Sequence, residues 1–273
     1  MMLKQASKSN KITQVRDFKT KRLIQGIGTK DIKRQSMYDI QAKLRSSVGI
    51  LRMNREHRFN SLTPGFAAQV SRGIETMDLD HTVKLIYLTT AEGKHFSNGT
   101  DFRTMLHMKT EGKDEKLASY VEDIYKLQTT FAKTNKPIMS VAPGHSFNSG
   151  AGLLVASGLP AICHDSKIAF NEVTFGYVPH AGSTYYASRL PGDFGTFLLL
   201  TGWPLTGKDA IKLGMADSLI EVPETYEHEI TDVILAMDPT SMPNSMRAMG
   251  AENFGIDRDR PAETAALKRA MSI

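Results

Sequence analysis
A carboxylate, Glu172, follows a β-prone stretch (Lys167 to Phe170) and leads into a loop punctuated by Gly176, Pro179 and Gly182. Upstream, the apolar run Ile138 to Val141 gives way to a second loop carrying Pro143, Gly144, Ser149, Gly150 and Gly152. The small-residue run Gly150 to Ser157 then suits the buried first turns of a helix. Strand, glycine loop and helix start in that order bring unpaired backbone N–H groups and the positive end of a helix dipole to one point, a seat for an anionic oxygen. Two such loops with one carboxylate between them outline a pocket where an oxyanion could be held beside a proton-transfer group. The same glycines also serve as plain tight turns of an α/β core.

The elements that must position this pocket are legible as apolar patterns. Residues 42–53 read as a strand pair, and Val83 to Thr89 as a buried strand. Asn60-Ser61-Leu62-Thr63-Pro64 predicts a helix over about 64–77, with Ser61 or Thr63 as N-cap and Pro64 in the first turn. Residues 114–135 carry Leu117, Val121, Ile124, Leu127 and Phe131 at helical spacing. Asp101 is placed to cap a helix starting near residue 102. Helices are expected at 193–201 and 207–213, then a closing strand from Ser218 to Val222 and short helices over 223–273.

Composition narrows the function classes. With 41% hydrophobic and 23% charged residues, 273 residues make an ordinary globular core, and no apolar run approaches the roughly 18–20 residues that span a bilayer. The single Cys163 excludes an internal disulfide and reads as a core thiol, and the eight His show no metal-ligand spacing, so no metal is expected. Residues 1–40 hold ten Lys or Arg against three Asp, so the net charge of +5 belongs to an N-terminal arm rather than to the domain. That arm fits a mitochondrial import signal, an RNA surface, anionic lipid or an acidic protein partner, and any nucleic-acid contact would run through it. Trp203 reads as a buried or interface aromatic.

Several of these stretches resemble the crotonase (enoyl-CoA hydratase/isomerase) superfamily, and especially its 3-hydroxyisobutyryl-CoA hydrolase branch. The similarity covers roughly residues 42–222. LRMNREHRFNSL is similar to the opening L-N-R-P…N-A-L motif, and residues 93–101 to G-x-x-F-x-A-G-x-D. Lys136-Pro137 begins K-P-x-x-A, Asn148-Ser149-Gly150 stands at G-G-G, and NEVTFGYVPHAG matches P-E-x-x-I-G-L-F-P-D-x-G. Residues 201–210 match the L-T-G-x-x-x-x-A segment.

The resemblance implies an α/β crotonase-like spiral of repeated ββα units with a helical C-terminal tail. It divides the chain into a basic arm (1–41), a core (42–222) and a tail (223–273). It also implies an oxyanion hole from the backbone N–H groups of Asn98 and Ser149, with Glu172 as nucleophile or base on a coenzyme A thioester. His180 stands at the hydrolase's second acid, His57 and Arg58 lie near the coenzyme A nucleotide, and no cofactor is required. Gly152 replaces one of the two hydratase glutamates, as in the hydrolase branch. Asn98, Asn148, Ser149 and His180 depart from the pattern while the scaffold motifs stay. Two functions are therefore expected. One is a degenerate enzyme serving as a structural subunit of a mitochondrial assembly, a respiratory complex or a ribosome, docked through arm and tail. The other is an active acyl-CoA thioester hydrolase.

Overall fold
The computed structural model describes residues 39–45 and 47–220, with the backbone of a short strand at Arg16–Asp17. Its centre is a seven-stranded sheet in the order β1-β2-β3-β4-β5-β7-β10. The strands are β1 (Arg16–Asp17), β2 (Ile40–Arg45), β3 (Val48–Met53), β4 (Leu85–Thr90), β5 (Ile138–Ala142), β7 (Leu159–Cys163) and β10 (Ser218–Ile220). The first three are antiparallel, and from β3 onward every pair is parallel, with Val48 opposite Leu85 and Ile86 opposite Ile138. Parallel strands covered on both faces must be apolar on both, and β3, β4, β5 and β7 read as near-continuous apolar runs for that reason.

The helices α1 (Phe66–Leu79), α3 (Asp114–Lys133) and α4 (Ser149–Ala156) bring Val70, Ile74, Ile124, Leu127 and Leu153 into one core with Leu51, Ile86 and Ile138 of the sheet. Val48, Ile50, Leu85, Tyr87, Met139 and Val141 form a second cluster with Cys163, which is buried as expected. Each fully buried aliphatic side chain contributes about 1.5–3 kcal/mol relative to exposure. A small sheet of β6 (His145–Phe147), β8 (Lys167–Ala169) and β9 (Leu205–Thr206) carries the site loops. Single bridges, Leu62 to Thr100 and Ser97 to Ser146, tie neighbouring loops into the same region.

Local chemistry sets the helix ends. Asp101 caps α2 (Phe102–Thr110) by accepting from Thr104 N at 3.0 Å, as expected. The expected cap of α1 is corrected, because the N-cap is Gly65, at φ 77°. Ser61 Oγ donates to Arg58 O, and Thr63 Oγ1 is taken by the Arg55 guanidinium, so neither is available to cap. The helix expected over 114–135 ends at Lys133, because Thr134 turns to an extended conformation. Thr206 and Asp209 form a reciprocal capping box on α7 (Gly207–Lys212). Trp203 is not buried but 59% exposed, just beyond α6 (Phe194–Thr201). The expectations for residues 1–38 and 221–273 lie outside the described residues, the Arg16–Asp17 backbone excepted.

Candidate active site
Glu172 opens a 3-10 turn (Glu172–Phe175) immediately after β8 and Asn171, and Gly176 ends the turn at φ 68°, a conformation that suits glycine. The turn buries its first side chain and exposes the rest, so Val173, Thr174 and Phe175 face solvent while Glu172 is wholly buried. Four residues after Gly176, His180 is turned inward by a loop that places Ala181 at φ 50° and Gly182 at φ 82°. A left-handed alanine is strained by about 1–2 kcal/mol, and Ala181 persists because it is fully buried.

His180 Nδ1 lies 3.2 Å from Glu172 Oε1, and Nε2 lies 2.8 Å from Thr100 Oγ1. Thr100 Oγ1 in turn lies 2.8 Å from Ser149 Oγ. With the ring proton on Nδ1, His180 donates to the carboxylate and accepts from the Thr100 hydroxyl, which accepts from Ser149. Phe102 and Tyr177 pack on the ring with centroids 5.8 and 5.2 Å away and fix its plane. The result is a buried carboxylate–imidazole–hydroxyl–hydroxyl relay, a group arrangement able to move a proton. Glu172 Oε2 finds no hydrogen-bond partner among the described residues.

Beside the relay lies a set of backbone donors. Ser149 N donates to Asn148 Oδ1 at 2.7 Å, and Thr100 N donates to the same oxygen at 2.7 Å. Asn148 Nδ2 donates to Asn98 O at 2.5 Å, so the carboxamide bridges the two loops. Asn148 holds this pose at φ 40°, ψ −122°, with its own N–H shared between Ala169 O and Asn171 Oδ1. Asn98 N donates to Phe59 O at 2.9 Å. Neither Asn98 N nor Ser149 N is therefore without an internal acceptor.

Close approach of α4 makes this geometry possible. A Cβ on Gly150 would stand 2.4 Å from Ser97 O, and one on Gly152 would stand 2.8 Å from Ala181 O and 3.1 Å from Gln128 Nε2. Position 152 thus has no room for a glutamate. His57 and Arg58 sit exposed on a 3-10 turn (Glu56–Arg58) and do not join the relay. Near that turn, His95 and His145 stack at 4.7 Å, and His145 stacks on Phe147 at 4.8 Å. Burial pushes both imidazoles below their usual pKa, with the neighbouring cations Lys94 and Lys167 acting in the same direction on His95 and His145 respectively. Among the described residues no group of three or more His, Cys, Asp or Glu could hold a metal ion.

Of the residues singled out in the sequence, Glu172, His180 and Ser149 come together through Thr100, and Asn98 joins them through Asn148. Sequence reasoning missed Thr100 and the reach of the Asn148 side chain. The signal available was polar residues at positions where the family pattern places glycine or leaves the choice free.

A model described as enoyl-CoA hydratase/isomerase matches residues 48–271. The chain belongs to this family. Relatives include the small ribosomal subunit protein mS47 of Arabidopsis thaliana, 30% identical over 68% of this chain and 44% of that one. The 3-hydroxyisobutyryl-CoA hydrolase-like protein 5 of Arabidopsis thaliana is 29% identical over 79% of this chain and 55% of its own length. The mitochondrial 3-hydroxyisobutyryl-CoA hydrolase of Homo sapiens is 26% identical over 81% and 57%. The chain spans about half the length of these curated relatives. Among solved structures, an enoyl-CoA hydratase from Bacillus anthracis superposes with a TM-score of 0.71 at 20% identity, covering 86% of this chain and 90% of that one. An enoyl-CoA hydratase/isomerase from Mycobacterium paratuberculosis gives 0.70 at 21%, covering 86% and 91%. The α/β crotonase fold expected from the motifs is therefore the fold observed.

Proposed function
We propose that this crotonase-fold chain no longer hydrolyses acyl-CoA thioesters and serves as a structural subunit of a larger mitochondrial assembly. The observation that carries the reading is the commitment of both expected oxyanion donors, Asn98 N to Phe59 O and Ser149 N to Asn148 Oδ1. A thioester carbonyl gains its stabilisation from donors aimed at empty space, and removing one such donor lowers rates by about 100–1,000-fold. The complete burial of Glu172 and its pairing with His180 add to the same reading. Of the two assemblies, a ribosomal small subunit has the better support, because one relative carries that name. The mitochondrial location is inferred from the names of relatives, and docking is assigned to the basic arm and the tail.

The test is direct. Purified full-length protein is mixed with acyl-CoA thioesters and a thiol reagent, beside Glu172→Gln. No thiol release from either is expected, and release that Glu172→Gln abolishes would reject the proposal. Removal of residues 1–38, which spares β2, should detach the protein from its assembly while leaving the domain folded. A second reading, an active thioester hydrolase, has one observation in its favour, the Glu172–His180–Thr100 relay, and the same assay decides it.

A further inference from the structure
We infer that the Asn148 carboxamide oxygen is a built-in occupant of an anion cradle formed by Thr100 N and Ser149 N, and that it keeps a thioester carbonyl out of this pair of donors. The inference rests on the reading of the site as retired. It goes further in finding a second donor pair, Thr100 N and Ser149 N, beside the expected Asn98 and Ser149, and in assigning its filling to one removable group.

The geometry is that of a filled oxyanion hole. Two backbone N–H groups from separate loops converge on a single sp² oxygen, each at 2.7 Å. Donors at about 2.7–3.1 Å from one point are the arrangement that holds a developing oxyanion. The oxygen is seated deeply, since a Cβ built on Gly99 would lie 2.0 Å from it. The far end of the carboxamide is pinned by Nδ2 donating to Asn98 O, which fixes which atom points into the cradle. The backbone at 148, with φ 40°, is one that a glycine adopts without the strain a side chain brings, so a glycine there relieves strain while emptying the cradle. The Thr100 hydroxyl that continues to His180 and Glu172 belongs to the same residue as one of the donors.

The experiment is a calorimetric titration of full-length protein with acetyl-CoA and with S-ethyl-CoA, a thioether that lacks the carbonyl oxygen. Asn148→Gly should bind acetyl-CoA about tenfold or more tightly than S-ethyl-CoA, two recovered hydrogen bonds of ordinary strength being worth roughly thirtyfold. The unmodified chain and Asn148→Asp, which keeps an oxygen in the cradle, should show no such preference. A folded Asn148→Gly without preference overturns the inference and leaves the proposed function standing. A tenfold preference in the unmodified chain overturns both. A measurement that needs no variant is amide hydrogen exchange of the unmodified chain. Unprotected exchange at Thr100 and Ser149 would mean that Asn148 does not fill the cradle, whatever the folding of the variants.

Discussion
His180 Nδ1 stands 3.2 Å from Glu172 Oε1 in a place neither side chain shares with solvent, Glu172 being 0% and His180 6% exposed. A pair this deep is held by its partner and by packing, not by water. Its first role in this chain is to satisfy a buried carboxylate.

Removing His180 should therefore destabilise more than neutralising Glu172. His180→Ala leaves the buried Glu172 side chain without its hydrogen-bond donor and should lower unfolding free energy by about 2–3 kcal/mol. Glu172→Gln keeps a hydrogen-bonding group of the same shape and should cost about 1 kcal/mol. Urea denaturation of the two variants checks the order, and equal losses would contradict the account.

Tyr120 is buried where its hydroxyl donates to Leu62 O and accepts from Asp101 N at 2.9 Å, and burial drives its pKa upward. Tyr120→Phe strands a carbonyl and an amide at the base of α2, and a loss of about 1–3 kcal/mol is expected in the same denaturation experiment.

The glycines separate by surroundings. Gly99→Ala sets a Cβ 2.0 Å from Asn148 Oδ1 at φ 70°, whereas Gly176→Ala at φ 68° meets nothing within 4 Å. Both pay the left-handed strain of about 1–2 kcal/mol, and Gly99→Ala should lose distinctly more, seen as a lower melting temperature than that of Gly176→Ala.

How far the sequence could be read depended on the range of the interaction involved. Apolar runs such as Val83 to Thr89 and Ile138 to Val141 identify strands because burial on both faces is written into consecutive residues. Asp101 capping α2 is a three-residue relation and was equally legible. The Gly65 cap was not, because it turns on Arg55 reaching Thr63 eight residues away. Asn148 was visible as a substitution for glycine, but its carboxamide acts on Thr100 N, 48 residues distant, through a positive φ that no local pattern announces. Of the two readings of Trp203, buried or interface, burial is excluded because Gly202 ends α6 in a left-handed turn packed against Asn171 and Thr174, leaving the indole outside.

Acid should weaken the fold through the stacked imidazoles. His95 and His145 have folded-state pKa values held below the unfolded 6.5, so below about pH 6.5 the unfolded chain takes up protons that the folded chain refuses, and stability falls as pH drops. Glu56, raised by burial above 4.5, acts in the opposite sense at lower pH, its penalty easing as it protonates. His145→Phe keeps a ring in the stack and should flatten the decline in urea midpoint between pH 7 and pH 5.5. An unchanged slope would remove His145 from the explanation.

The pairing of Arg16–Asp17 with Leu44 and Lys43 gives β2 a neighbour on its outer side. Without that neighbour β2 would end the sheet in a row of unpaired main-chain donors and acceptors, a border on which a foreign strand can add.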